Sequence, residues 1–350
     1  MHLSEFLLLA SSAAASHVQW TGVNLFGLAA DASIFGSAYN TFASSKCNAS
    51  YDAYPYYDST EHYEDWHKKG FNLFRIPVAW QHAQEDLGGP LNETTMGVID
   101  SLVHAITRDG GQAIIDIHNY ARWYCAVIGQ PELSFLNPSV NVTNEHFVDL
   151  WEKISRRYKD NEGVIFQLMN EPHDLNITKW GETNQQVIDA IRKVTTKQKI
   201  LVSGTQFARL SDWLSFSKPG IGPGMLHDPA HNTLYDFHQY FDDLAGAYGL
   251  CEPWEGFETQ FREVTHLLRK NGYKAMLTEF GGGPFPQCVE LFHELLNFLD
   301  QHSDVWYGWT AWGSFNEGDL YLSLDDKSPF HTLAKVLETY APLKKSVCST

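Results

Sequence analysis

Residues 164–172, VIFQLMNEP, join an apolar run to an amide, a carboxylate and a proline. A short apolar run bounded by turn residues predicts a buried strand. Because Pro172 cannot pair inside a sheet, Glu171 is expected at the carboxyl end of that strand. A second stretch, AMLTEFGGG at 275–283, brings Glu279 to the same kind of position before a glycine turn. Two glutamates at the ends of two strands indicate one pocket with two carboxylates.

Six further runs have the same form, so the chain contains eight predicted strands, and each is followed by a helical or loop segment. The strands span residues 21–27, 71–78, 113–117, 164–169, 200–204, 234–237, 275–279 and 305–312. This alternation predicts a parallel sheet with helical crossovers. Eight units that close on themselves predict an α/β fold, a (β/α)8 TIM barrel, as a single domain over residues 17–350. The alternative, an open doubly wound sheet, would place a glycine-rich phosphate loop after the first strand, and Gly27-Leu28-Ala29 lacks that pattern.

The composition restricts the classes of function. The chain has 350 residues, of which 43% are hydrophobic and 19% charged, which is enough for a large core. The formal net charge of −17 argues against a surface that follows a phosphate backbone, so no nucleic-acid partner is expected. Aromatic residues make up 14% of the chain, and flat rings are also surfaces on which sugars stack.

Residues 1–16 are typical of a secretory signal peptide, with the apolar stretch FLLLA followed by the small residues AAA. No Lys or Arg precedes the apolar stretch, and a buried N-terminal segment is the alternative. No other apolar run approaches the length of a membrane span, so no membrane partner is expected. Four sequons fit a secreted, extracellular protein, and they begin at Asn48, Asn92, Asn141 and Asn176. We expect a monomer.

Five cysteines in an oxidising compartment allow two disulfides and one free thiol. Their spacing matches no zinc pattern, and the chain has no Cys-x-x-Cys or His-Glu-x-x-His motif. We therefore expect neither a metal nor a cofactor.

Polar residues cluster at the carboxyl ends of the predicted strands, the face on which a (β/α)8 barrel places its active site. They are Arg75, His118, Asn119, Asn170, Glu171, His238, Tyr240, Glu279 and Trp312. No Gly-x-Ser-x-Gly elbow is present. Two glutamates in such surroundings suit glycoside hydrolysis, in which one carboxyl protonates the leaving oxygen. The other carboxyl attacks the anomeric carbon or activates a water.

Four motifs carry a resemblance to a known family. They are FRIPVAW at 74–80, DIHNYARW at 116–123, MNEPHD at 169–174 and LTEFGGG at 277–283. Together they resemble glycoside hydrolase family 5, and more closely its fungal secreted endo-β-1,4-glucanases, over residues 22–324. The resemblance implies a retaining mechanism, a β-glucan polysaccharide as substrate, and catalytic carboxylates after strands four and seven.

The resemblance also implies roles for the residues that match. Glu171 corresponds to the family's acid/base, and Glu279 corresponds to its nucleophile. Arg75 would keep Glu279 ionised by charge pairing, and Tyr240 would donate a hydrogen bond to the same carboxylate.

The remaining matched residues would bind substrate. Asn170 would contact the sugar 2-hydroxyl, and Trp312 would lie under the sugar at the cleavage point. His118 and His238 would orient hydroxyls or the acid/base, and Asn119 belongs to the same set.

For the cysteines, the resemblance implies a disulfide between Cys251 and Cys288, and Cys348 lacks its family partner. We add a second hypothesis, a Cys47–Cys125 bond that joins the long first loop to the cleft wall.

Two departures from the family pattern leave the polysaccharide open. Tyr124-Cys125 replaces a small polar pair, and Thr205-Gln206-Phe207 replaces a run that ends in tryptophan. The leading hypothesis is an endo-β-1,4-glucanase. The alternatives are the same mechanism on mannan or another β-glycan, and a carbohydrate-binding barrel without catalysis.

Overall fold

The structure is a computed structural model that describes residues 17–26, 60–242, 249–315 and 322–342. Eight strands close into a barrel, in which each strand pairs in parallel with its neighbours in chain order and the last pairs with the first. The strands are β1 Trp20–Phe26, β2 Leu73–Val78, β3 Gln112–Ile117, β4 Val164–Gln167, β5 Lys199–Ser203, β6 Thr233–Tyr240, β7 Ala275–Gly281 and β8 Trp306–Phe315. The predicted (β/α)8 barrel is confirmed.

Helices occupy the segments between the strands. Within the described ranges they are α1 Thr60–Lys68, α2 Trp80–Ala83, α3 Glu93–Arg108, α4 Asn144–Tyr158, α5 Ile177–Val194, α6 Leu210–Phe216, α7 Lys218–Ile221, α8 Glu255–Lys270, α9 Pro286–Gln301 and α10 His331–Thr339. Helix α5 begins at Ile177, directly after Asn176. Asn176 is the reason, because its side chain accepts hydrogen bonds from the backbone N–H groups of Thr178 and Lys179.

Asn92 caps α3 in the same way, with bonds from the N–H groups of Thr94 and Thr95. Two of the four predicted sequons therefore coincide with helix caps. Asn48 and the predicted signal peptide lie outside the described residues. Within those residues, no helix is both long and apolar enough to cross a bilayer.

Tryptophan serves mainly as core in this fold. Seven side chains are less than 2% exposed, namely Trp66, Trp80, Trp151, Trp180, Trp213, Trp306 and Trp309. Most of the described tryptophans therefore fill space around the barrel and are not available as platforms for a sugar.

The inside of the barrel holds two layers of opposite chemistry. The apolar layer is one cluster of buried side chains from six strands, made of Leu73, Ile114, Ile165, Leu201, Leu234 and Met276. Residues two apart on a strand point to the same side, so the next inward positions lie one step nearer the carboxyl ends. Those positions form the polar layer, which is Asn24, Arg75, Asp116, Gln167, Ser203, Asp236, Thr278 and Thr310. All eight are at most 1% exposed. The strand-end residues lie next to the polar layer, on the side of the carboxyl ends of the strands.

Two disulfide bonds involve residues beyond the carboxyl ends of the strands. A disulfide joins Cys251 to Cys288, the pair that the family resemblance implies. Cys125 is also disulfide-bonded. The Cys47–Cys125 hypothesis stays a prediction, because Cys47 lies outside the described residues, as does Cys348.

Candidate active site

Arg75 on β2 is the centre of the site. Its Nη1 lies 2.5 Å from Glu279 Oε1, and its Nη2 lies 2.8 Å from Asp116 Oδ2. Burial opposes the charge, but Asp116 and Glu279 outweigh it and raise the pKa of Arg75 above its usual range. Three further bonds of 2.6–2.7 Å go to the side-chain oxygens of Gln167, Asn24 and Asn170. The guanidinium is thus fixed by partners from several strands.

Asp116 and Asn170 orient His118. The carboxylate Oδ2 accepts a hydrogen bond of 2.7 Å from His118 Nδ1, and His118 Nε2 lies 3.2 Å from Asn170 Nδ2. Because Asn170 Oδ1 accepts from Arg75, its amide nitrogen must face the imidazole. His118 therefore presents one donor to Asp116 and one acceptor to Asn170.

Glu279 on β7 is held at both oxygens. Oε1 contacts Arg75, and Oε2 accepts a hydrogen bond of 3.0 Å from the Tyr240 hydroxyl. Burial and the Glu279 carboxylate raise the pKa of Tyr240 well above its usual range, so the hydroxyl stays a donor. The bonds from Arg75 and Tyr240 together fix the orientation of the Glu279 carboxylate.

Glu171 follows β4 and sits on a strained backbone. Its φ of 43° is in the left-handed region, which costs a non-glycine residue about 1–3 kcal/mol. The residue is 9% exposed, and its Oε1 lies 2.8 Å from His238 Nδ1. Burial and the charge of Glu279 raise the pKa of Glu171 well above its usual range, while Arg75 opposes this effect. Glu171 is therefore the carboxyl of the pair that retains a proton.

His238 on β6 lies between the two glutamates and the polar layer. Its Nδ1 is also 3.4 Å from Glu279 Oε2, and its Nε2 is 3.0 Å from Thr278 Oγ1. Burial, followed by the charge of Arg75, lowers the pKa of His238 well below its usual range. The imidazole is therefore neutral near pH 7.

Asp236 lies beneath His238 and was not among the predicted site residues. Its carboxylate accepts bonds of 2.5 Å from Thr278 Oγ1, 2.6 Å from Ser203 Oγ and 2.7 Å from Gln167 Nε2. Burial raises the pKa of Asp236 to about 6. The sequence signal there is a charged residue within the predicted strand 234–237, which indicates a buried polar group but does not assign it a function.

Comparison with known proteins places this arrangement in a family. Residues 17–315 match the profile of Cellulase (glycosyl hydrolase family 5). The chain belongs to glycosyl hydrolase family 5. Endoglucanase EG-II of Hypocrea jecorina is 33% identical over 258 residues, which cover 72% of this chain and 59% of that protein. The chain thus spans about three fifths of that relative's length.

Solved structures agree with the family 5 assignment. Cel5A (EG2) from Hypocrea jecorina superposes with a TM-score of 0.73 at 31% identity, covering 85% of this chain and 89% of that one. XacCel5A in complex with cellopentaose superposes with a TM-score of 0.77 at 27% identity, covering 93% of this chain and 99% of that one.

Asn119 differs from the other family 5 residues predicted for the site. Its Oδ1 accepts a hydrogen bond of 2.6 Å from the backbone N–H of Trp80, and its Nδ2 donates one of 2.8 Å to Gln81 Oε1. The side chain is fully buried. It holds the segment after β2 in place, and both ends of its amide are already bonded to protein.

Trp312 on β8 covers His118. The two rings lie 5.6 Å apart between centroids at an angle of 10°. Trp312 is half-buried, unlike the core tryptophans.

The two departures from the family pattern lie on the same face. Phe207 follows β5 and stacks on His173 at 4.3 Å between centroids and an angle of 17°. Tyr124 and Cys125 form the turn of a short hairpin, Arg122–Trp123 with Ala126–Val127, and both have positive φ. Phe207 therefore packs against the segment that follows Glu171.

Three side chains of the site also have metal-ligand chemistry. Ligand atoms of Glu171, His238 and Glu279 all lie within 4.8 Å of one another, the only such group of His, Cys, Asp or Glu in the described part of the chain. Arg75 already supplies a positive charge 2.5 Å from Glu279. The protein therefore neutralises this carboxylate by itself.

Proposed function

We propose that the chain is a secreted, retaining endo-β-1,4-glucanase that cleaves internal bonds of a β-glucan polysaccharide through Glu171 and Glu279. The observation that carries the proposal is the short distance between the two carboxylates, of which one oxygen each lies within 4.8 Å of the other. Retaining enzymes have carboxyl groups about 5–5.5 Å apart, whereas inverting enzymes need about 6.5–9.5 Å to admit a water. Relatives named endoglucanases, and one solved with cellopentaose, support a glucan substrate.

In the first step, the Glu279 carboxylate attacks the anomeric carbon and forms a glycosyl ester. Glu171 donates its proton to the leaving glycosidic oxygen, so the aglycone departs as a neutral alcohol. The raised pKa of Glu171 supports this role, since the proton must be present when the bond breaks. Arg75 and Tyr240 aim Glu279 at the sugar.

In the second step, Glu171 acts as a base. The ester carries no negative charge, so the charge of Glu279 that raised the pKa of Glu171 is gone. Glu171 then takes a proton from a water that attacks the anomeric carbon and releases Glu279. Two displacements restore the β configuration.

Other strand-end residues would bind the sugar. Asn170 Nδ2 has two hydrogens, of which one faces His118, and the second is available for the 2-hydroxyl. Trp312 would provide the stacking surface, and His118 would position hydroxyls beside it. For Asn119 we propose a supporting role in place of substrate contact, because its amide is saturated by protein.

The test is to incubate the purified protein with carboxymethyl cellulose, galactomannan and cello-oligosaccharides while NMR follows the anomer formed first. We expect cleavage of cellulose chains with initial release of the β-anomer. Both Glu279→Gln and Glu171→Gln should abolish it, while Glu263→Gln, on the exposed face of α8, should retain it. Initial α-anomer would contradict retention.

Other outcomes separate the alternatives. Cleavage of mannan alone would keep the mechanism and replace the substrate. Sugar binding without hydrolysis would favour a carbohydrate-binding barrel. An active Glu279→Gln enzyme would exclude Glu279 as nucleophile.

A further inference from the structure

A continuous line of hydrogen bonds runs from the polar layer to Glu171. Asp236 Oδ1 lies 2.5 Å from Thr278 Oγ1, Thr278 Oγ1 lies 3.0 Å from His238 Nε2, and His238 Nδ1 lies 2.8 Å from Glu171 Oε1. All four residues are at most 9% exposed. Because these groups are shielded from water, the other hydrogen bonds that each side chain makes decide which atom is the donor in each bond of the line.

The direction follows from the partners of Asp236. Gln167 Oε1 accepts from Arg75 Nε at 2.6 Å, so Gln167 Nε2 must be the atom that donates to Asp236. Above about pH 6 Asp236 is ionised and its carboxylate only accepts, so the hydroxyl of Thr278 donates its single proton to Asp236. Thr278 Oγ1 can then only accept from His238. The proton of the neutral imidazole is therefore on Nε2, and Nδ1 is left as an acceptor.

This tautomer has a consequence for Glu171. An Nδ1 lone pair accepts a hydrogen bond from a protonated carboxyl group, but it repels a carboxylate. We propose that Asp236 is a positioning residue that acts through Thr278 to hold His238 as the Nε2–H tautomer, and so keeps Glu171 protonated for donation to the glycosidic oxygen. The proposal rests on the proposed function only in that Glu171 is the proton donor.

The charges around His238 are compatible with this arrangement. The groups that face the imidazole come from β2, β3, β4, β6 and β7, and they are Arg75, His118, Glu171, Asp236 and Glu279. The carboxylate of Asp236 is on the Nε2 side at 3.6 Å, where it favours an N–H. Glu279 Oε2, 3.4 Å from Nδ1, favours an N–H on that nitrogen instead, but Arg75 and the Tyr240 hydroxyl reduce this effect because they bond to the same carboxylate. The charge of Arg75 disfavours a second proton on the ring.

In the isosteric variant Asp236→Asn, the donor–acceptor direction of the hydrogen bonds between residue 236 and Glu171 is expected to reverse. The amide oxygen must face the Gln167 Nε2 donor, which Arg75 keeps in place, so the new NH2 group faces Thr278. The Thr278 hydroxyl then accepts from residue 236 and donates to His238 Nε2. The imidazole proton moves to Nδ1, where it stabilises the carboxylate form of Glu171.

Two measurements read this change. Long-range ¹⁵N–¹H NMR of the histidine side chains distinguishes the tautomers, with His238 assigned by the signals that disappear in His238→Gln. The wild type is expected to show Nε2–H, and Asp236→Asn is expected to show Nδ1–H. The basic limb of the kcat/KM profile should shift to lower pH in the variant. The kcat should fall about 10- to 100-fold, less than the 10²–10⁴ that a general acid contributes as a whole.

Ser203→Ala is the matched control. It removes another hydroxyl bonded to Asp236, at 2.6 Å, but not one in line with His238. It should keep the Nε2–H tautomer and the position of the basic limb.

The proposal has clear failures. An Nδ1–H tautomer in the wild type would overturn it without any variant, as would an Asp236→Asn enzyme that keeps both Nε2–H and the wild-type basic limb. If the wild type cleaves no β-glycan, the proposed function fails, and the NMR measurement still decides whether Asp236 sets the tautomer.

Discussion

The apolar and polar layers lie two residues apart on the same strands, yet they do opposite work. Leu201 in the apolar layer precedes Ser203 in the polar layer, and Leu234 precedes Asp236. Burial of a large aliphatic side chain contributes about 1.5–3 kcal/mol to stability. A buried ion pair is often neutral or unfavourable relative to apolar residues of similar volume. The comparison shows that the residues that stabilise the barrel and the residues that support its chemistry lie two positions apart on the same strands.

The largest expected effect is the removal of Arg75. In Arg75→Met, Asp116 and Glu279 remain buried without their counter-charge, so the free energy of unfolding should fall by about 3–5 kcal/mol. Glucan cleavage should be lost as well, since Glu279 loses its main contact. Urea unfolding and an activity assay measure the two changes.

Arg156→Met is the control for Arg75→Met, because Arg156 makes an exposed pair with Glu152 on α4. Its loss should cost about 0.3–0.5 kcal/mol and leave activity intact. Equal stability of Arg75→Met and the wild type would contradict our account of the polar layer.

The next effect belongs to the apolar layer. Leu201→Ala should lower the free energy of unfolding by about 2–5 kcal/mol, because it removes buried methyl groups and leaves a cavity. The folded fraction should keep its kcat and its pH profile, since no site residue contacts Leu201 through a hydrogen bond. Ile165→Val in the same layer should cost about 0.5–1.5 kcal/mol. A selective loss of kcat in either variant would show that the layers are not separate.

The smallest expected effect is a slope of stability with pH. Because the folded-state pKa of Glu171 is raised above its unfolded value of about 4.5, the folded protein binds the extra proton between the two values. Stability therefore falls as pH rises from about 4.5 towards the folded-state pKa, by at most about 1.4 kcal/mol per pH unit.

Glu171→Gln lacks this titration, so its free energy of unfolding relative to wild type should increase from pH 4 to pH 7. Urea unfolding at both values measures the difference. Glu263→Gln, with an exposed side chain on α8, should show a constant difference. A Glu171→Gln difference that stays flat or shrinks with pH would contradict the raised pKa.

The residues at the strand ends were predictable from the sequence, but the hydrogen-bond network of the polar layer was not. An apolar run that stops at a polar residue marks Glu171 and Glu279. A single polar residue within such a run, as at Gln167, Asp236 or Thr278, has no local signal that distinguishes a functional network from an isolated buried group. Asp116 is a similar case, a single charged residue within an apolar run, and the structure shows it bonded to Arg75 and His118.

Two further features depended on details beyond periodicity. In the sequence Asn176 is identified only as the start of a sequon, whereas in the structure its side chain caps the start of α5. Asn119 follows β3 as the site residues do, but its side chain turns towards Trp80 and Gln81. Position at a strand end therefore does not by itself direct a side chain into the pocket.

The sequence by itself determined the number and order of the strands and the places of the two glutamates, because hydrophobic periodicity and turn residues act over a few neighbours. Only the tertiary structure decided which polar groups meet. Arg75 and Glu279 are 204 residues apart in the chain, and Asp236 and Thr278 are 42 apart. Barrel closure and strand register bring them within hydrogen-bond distance, and no local pattern encodes that geometry.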